Sequence, residues 1–199
     1  MPRVSGEHLA MRRTQVLDAA TRCFARQGFS ATSMDDVVRE SGLSAGAVYR
    51  YFDGKDALIA AAAEQALTRV AGTLAWAREA PEPVAPRRVL HALLTRVAQE
   101  PGPGEVDPAR VAVGAWAEAL RNPRVHQVVE STFRSVRADL LAVLIRWRDA
   151  GHLAPDADLE AAAAALFGTV PGFLLQRVAL GDVDVDAYLE GLAALGADW

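Results

Sequence analysis

Tyr49, Arg50, Tyr51 and Lys55 gather two phenol hydroxyls and two cations within a few residues of one another. Such a set suits anions: hydroxyl and ammonium donors meet phosphate oxygens, and a guanidinium pairs bidentately with the acceptor edge of guanine. Arg50 is therefore the candidate for reading a base, with a solvated surface arginine as the plain alternative. Just upstream, Ser44 can cap a helix, and the amides of Ala45 and Gly46 would add N–H donors at the positive end of that helix's dipole. Ala45 and Ala47 offer only apolar contact to a thymine methyl, and Asp35 can accept from cytosine. Thr32 and Ser33 bring two further hydroxyls to where a duplex backbone can be met.

These side chains need a scaffold, and the neighbouring residues encode one. Ser33 is placed to cap a helix from Met34, with Asp36 at the third position completing a capping box, and Gly42 permits the left-handed backbone that ends it. Ser44 then opens a second helix. Two short helices around a tight glycine turn read as a helix-turn-helix. Val37, Val38, Leu43, Val48 and Phe52 are the apolar residues available to lock the pair, leaving the second helix with an outward face of small and hydrogen-bonding residues suited to a groove. A preceding helix is expected over 12–27, with Leu17, Ala20 and Phe24 inward and a stop at Gly28.

Helical periodicity continues to the end of the chain, and no alternating strand pattern persists. A long fourth helix is expected from Lys55 to about Glu79, with Ile59, Ala63, Ala66, Val70, Leu74 and Ala77 spaced by three and four. Pro81, Pro83 and Pro86 end it, and Pro86 can open a fifth helix carrying Leu90, Leu93, Leu94 and Val97. Pro101–Glu105 reads as a loop and 108–120 as a sixth helix. A seventh, over 123–150, carries Val125, Val129, Phe133, Val136, Leu140, Leu144 and Trp147. An eighth follows Asp158 to Leu180 with an interruption expected at Pro171-Gly172. A ninth starts near Asp184 with Tyr188, Leu192 and Leu195.

Composition narrows the function classes. The 199 residues carry a net charge of −4, yet residues 1–55 hold eight Lys/Arg against six Asp/Glu, whereas 56–199 hold thirteen against nineteen. The basic part is the part with the motif, so a polyanion would be met in one orientation. The lone Cys23 excludes an intrachain disulfide, fits a reducing cytoplasm, and reads as a small buried hydrophobe beside Phe24. No apolar run is expected to approach the length of a membrane span, and Met1–Ala10 lacks the apolar stretch of a secretory leader. His8, His91, His126 and His152 show no metal-ligand spacing, and neither a glycine-rich phosphate loop nor a nucleophile elbow occurs. The expectation is a chain that is not an enzyme and holds no cofactor or metal.

The segments Leu17–Phe29, Thr32–Val38, Gly42–Phe52 and Lys55–Leu58 together resemble the N-terminal DNA-binding domain of the TetR family of bacterial transcriptional regulators. The likeness is continuous over residues 12–58, and the Tyr-x-Tyr-Phe-x-x-Lys ending is specific. A weaker likeness joins 151–158 and 172–176 to the family's penultimate-helix region. The resemblance implies an all-α fold of nine helices, with a three-helix helix-turn-helix domain over 1–54 and a six-helix regulatory bundle over 55–199. It implies that Tyr49 and Tyr51 both reach DNA while Phe52 is buried, and that Lys55 clamps a phosphate. Ala45 and Asp35 depart from the family, where basic or larger polar residues are frequent. The implied protein is a cytoplasmic homodimeric repressor on a palindromic double-stranded operator, released by a small-molecule effector; the alternative is a bundle that serves only dimerisation or protein interaction. Trp76, Trp116 and Phe133 are the expected ligand-lining residues. Leu166, Val170, Phe173, Leu192 and Leu195, on helices eight and nine, are the expected dimer interface.

Overall fold

The computed structural model describes residues 6–98 and 107–195, apart from the side chains of 66–69. Pro101–Glu105, expected as a loop, lies outside the described residues. Among the described residues the fold is all-α, with helices α1 (Gly6–Ala31), α2 (Met34–Ser41), α3 (Ala45–Tyr51), α4 (Lys55–Glu79), α5 (Pro86–Ala98), α6 (Pro108–Ala119), α7 (Pro123–Asp149), α8 (Leu159–Leu180) and α9 (Val185–Ala194). The contacts within the chain form two compact units. One contains the described residues up to Gln65 together with α6 and the start of α7 as far as Val129; the other contains the remainder.

In the first unit, α1 starts six residues earlier than expected, at Gly6, because Glu7 to Met11 contain no breaker and Glu7 complements the helix dipole. The expected stop is present: Gly28 leaves helical geometry at φ 81°, where a side chain would be strained. The turn beyond it carries Phe29 back against Phe24, ring centroids 4.5 Å apart. The capping box forms as expected, with the Ser33 hydroxyl accepting from the Asp36 amide and the Asp36 carboxylate accepting from the Ser33 amide. Gly42 closes α2 at φ 67°, and Ser44 caps α3. Val16, Ala20, Phe24, Val37, Val48 and Phe52 are all buried, and burying a Val or Phe contributes about 1.5–3 kcal/mol. That core outweighs the polar links between α1 and α2, in which Arg22 and Arg26 bond Glu40 at 2.7 and 3.2 Å and hold its carboxyl below the usual carboxylate range. The unit is larger than residues 1–54, because α6 packs on α1 with Gly114 pressed against the Phe29 ring.

In the second unit the expected α7 stripe is inward: Val136, Leu140, Leu144 and Trp147 are buried, and the Trp147 indole donates to the Val84 carbonyl at 2.7 Å. Arg78 bonds Asp139 at 2.7 Å, tying the end of α4 to α7. The α9 residue Tyr188 sets its ring edge-on to Phe173 of α8 and donates its hydroxyl to the Thr169 carbonyl. Burial there pushes the Tyr188 phenol pKa up.

Two expectations about α8 are corrected. The helix runs through Pro171 without interruption, since a proline removes a single donor and its φ is compatible with a helix. It is also long and apolar enough, by length and composition, to cross a membrane, and only 28% of its most apolar stretch is buried within the chain. Ala163, Leu166, Phe173 and Leu174 supply the core face here.

Candidate nucleic-acid interface

The α3 helix divides its residues sharply between two sides. Val48 and the capping residue Phe52 are 0% and 4% exposed, whereas Tyr49 is 51% exposed and Ser44, Ala45, Gly46 and Arg50 are exposed with it. Tyr51 and Ala47 are half-buried at the margin of the exposed side. The helix is short, so its orientation depends on what holds its ends. Ser44 accepts from the Ala47 amide at 3.3 Å at the start, and the Arg13 guanidinium lies 4.9 Å over the Phe52 ring at the end.

Lys55, half-buried at the start of α4, donates its ammonium to the Ser30 carbonyl at 3.1 Å. The bond bridges α4 to the last turn of α1 and fixes the lysine's stem beside the α3–α4 turn. Ser33 is exposed, and its hydroxyl also donates to the Asp36 carboxylate at 2.7 Å. These bonds hold the Asp36 carboxyl below its ordinary range, the Ser33 hydroxyl contributing most.

Thr32 does not belong with the exposed set. It is 1% exposed, and its hydroxyl donates to the Gly28 carbonyl at 2.8 Å, which also accepts the Thr32 amide at 3.3 Å. The sequence signal was ambiguous, because a hydroxyl before a helix can cap inward as readily as it can face a ligand. Two residues missed by sequence reasoning, Asn122 and Arg124, reach the α3–α4 turn from the start of α7. The Asn122 amide donates to Asp56 at 2.8 Å, and Arg124 bonds both oxygens of Asp53 at 3.2 Å. No local spacing links positions so far apart in the chain.

Residues 16–62 match the bacterial regulatory proteins of the tetR family, and residues 86–195 match the BetI-type transcriptional repressor C-terminal family. The chain belongs to the TetR family. Its members bind DNA and act as dimers. The regulator BetI 2 of Chromohalobacter salexigens is 29% identical over 94% of this chain and 86% of its own length. GusR of Salmonella enterica superposes with a TM-score of 0.80 at 27% identity, covering 98% of this chain and 96% of that one. A regulator from Saccharomonospora viridis, solved in complex with choline, superposes with a TM-score of 0.73 at 19% identity over 93% and 95% of the two chains. The chain spans 38% and 27% of the lengths of two curated relatives that it matches at 44% and 47% identity.

The remaining expected residues of this TetR-family chain lie in both units. Trp76 is 42% exposed and belongs to the second unit with Phe133, whereas Trp116 belongs to the first. Phe133 is half-buried and meets the Phe167 ring edge-on at 4.8 Å. Of the expected dimer residues, Leu166 and Phe173 are 2% and 0% exposed, so they are core within the protomer and present nothing to a partner. Val170 and Leu192 are half-buried, and Leu195 is 86% exposed. Leu175 and Leu180, not anticipated, are 54% and 66% exposed on α8. The periodicity of α8 could not distinguish its two faces, because both are apolar.

Proposed function

We propose that the protein is a cytoplasmic, homodimeric transcriptional repressor that binds a palindromic operator through α3 and leaves it when a small molecule occupies the C-terminal part of the chain. The carrying observation is the two-sidedness of α3: a buried Val48 and Phe52 fix the helix, and Tyr49, Arg50 and Ser44 stand outside it together. This pattern supports an α3 seated in a major groove with hydroxyls on phosphates and Arg50 on a base edge. Ser33 and Lys55 flank that helix as further phosphate contacts. Thr32 is no longer among them.

The dimer reading draws on the exposed apolar residues of α8 and α9, with Leu175, Leu180 and Leu195 joining Val170 and Leu192 as the candidate contact set. A two-fold dimer would place two α3 helices on half-sites about 34–36 Å apart, or a multiple of it. The effector reading draws on the BetI-type match and on the aromatic pair Phe133–Phe167, and α4 is continuous between the two units and can transmit the change. Choline is the first probe, since the S. viridis protein holds it.

The test is a fluorescence-anisotropy titration against an operator recovered by in vitro selection. Tyr49→Phe deletes only a hydroxyl, and we expect operator binding to weaken by about 1 kcal/mol or more with unchanged folding. Unaltered affinity at physiological salt would remove Tyr49 from the interface. Effector release requires that ligand and operator each weaken the other's binding by the same factor. Equal ligand dissociation constants with and without operator would leave the bundle with dimerisation alone.

A further inference from the structure

The α3–α4 turn, which joins the recognition helix to Lys55, is gripped from outside the helix-turn-helix. Arg124 bonds both carboxylate oxygens of Asp53 at 3.2 Å, and Asn122 donates to Asp56 at 2.8 Å, so the two contacts straddle Gly54 and Lys55. Asn122 is itself fixed, because its side-chain oxygen accepts from the amides of Arg124 and Val125 and so caps the start of α7. Arg124 lines a cleft of about 450 Å³ whose wall also carries Tyr49, Arg50 and Tyr51. The pair with Asp53 is a poor stability device: the two side chains are 52% and 69% exposed, where ion pairs contribute little to folding. Electrostatics gives it another use. Asp53 directly follows the recognition helix and its cap, and an unneutralised carboxylate there would repel the phosphates that Tyr51 and Lys55 approach.

We propose that Arg124 and Asn122 are positioning residues for operator binding, Arg124 by neutralising Asp53 and Asn122 by holding Asp56, so that the recognition helix and Lys55 present a fixed, phosphate-compatible edge. The inference rests on the reading that α3 faces the operator. It adds Arg124 of α7 and the Asn122 that caps α7 to a function otherwise confined to residues 33–55, and it assigns them an indirect role with no contact to DNA.

A double-mutant cycle separates that role from direct contact. Operator affinity is measured by anisotropy for the wild-type dimer, Arg124→Gln, Asp53→Asn and the double variant. Arg124→Gln is expected to weaken binding several-fold, Asp53→Asn to leave it unchanged or tighter, and the double variant to match Asp53→Asn, because the arginine has nothing left to neutralise. An equal loss from Arg124→Gln in both backgrounds, with the salt slope lowered by about one, would make Arg124 a phosphate contact and overturn the proposal. No loss in either background would overturn it as well. For the second contact, Asn122→Asp keeps the cap but sets two carboxylates together and should weaken binding. Asn122→Asp with Asp56→Asn restores donor and acceptor at the wild-type charge and should recover it; failure to recover would remove Asn122. Arg50→Ala is the separate control: full operator affinity in that variant, with Tyr49→Phe also silent, would sink the reading of α3, whereas a weakened Arg50→Ala beside a silent Arg124→Gln would sink only this inference. Coincident thermal melts of the Arg124 variants and wild type exclude unfolding as the cause.

Discussion

Replacing Gly114 by Ala tests how α6 is seated in the unit that carries the helix-turn-helix. An added methyl would lie 2.6 Å from Cε2 and 3.0 Å from Cδ2 of Phe29. Carbon contacts settle at about 3.5–4.0 Å, so the helix or the ring must move. The ring has little freedom, since Phe29 is 7% exposed and packed at a tilt of 37° against Phe24, itself 3% exposed, with centroids 4.5 Å apart. Overpacking of this kind costs about 1–3 kcal/mol, and exchanging a mid-helix glycine for alanine returns about 1 kcal/mol. The net is a destabilisation of up to about 2 kcal/mol, and at about 2–4 °C per kcal/mol for a chain of this size the melting midpoint should fall by several degrees. Gly72 in α4 is the control, because a methyl there meets nothing within 4 Å. Its alanine variant should be stabilised by about 0.5–1 kcal/mol. Adding Phe29→Leu to Gly114→Ala should recover part of the loss by shortening the obstructing side chain. Thermal unfolding followed by circular dichroism reads all four proteins. A Gly114→Ala midpoint raised as much as that of Gly72→Ala would refute the packing of α6 on Phe29.

Three further outcomes are expected. Lys55→Ala should weaken binding to specific and unrelated duplexes alike and lower the salt slope by about one, measured by anisotropy over a salt series; a loss confined to the operator would contradict a phosphate role. Because the Asp36 carboxyl is held below its ordinary value by the Ser33 hydroxyl, the stability it contributes is present above the ordinary carboxylate range and lost as pH falls through the lowered value. Thermal melts across the acid range should therefore show a steeper acid loss for wild type than for Asp36→Asn, and parallel curves would contradict the linkage. Leu175→Asp should convert the dimer to monomers in sedimentation velocity, whereas Leu166→Asp should unfold the chain, since Leu166 is 2% exposed within the protomer.

Much of the first unit was legible because its signals are local. A serine with an acid three residues on, a glycine where the backbone turns left-handed, and a second capping serine specify two helices from a dozen consecutive residues. The alternation of Val48 and Phe52 with Tyr49 and Arg50 then assigns an inner and an outer side. Thr32 marks the limit of that logic. Its hydroxyl is spent on the Gly28 carbonyl at 2.8 Å, which the Thr32 amide also bonds, and nothing in the type or position of the residue announces which acceptor it will meet.

The contacts that escaped the sequence share a physical cause: they depend on which helices become neighbours. Nothing around residues 122–124 suggests a recognition-helix support until α7 starts beside the α3–α4 turn, and Gly114 looks like a weak helix residue until Phe29 fills the space above it. In α8 the difficulty is different, because a helix apolar all round carries no record of which face is core. Its inward residues, Ala163, Leu166, Phe173 and Leu174, are set by which side meets the protomer's own interior, since Leu175 and Leu180 of the same helix stay exposed. The face left over is built from alanine, glycine and a few exposed leucines, where a second copy can approach closely and where a charge placed at Leu175 would be felt most.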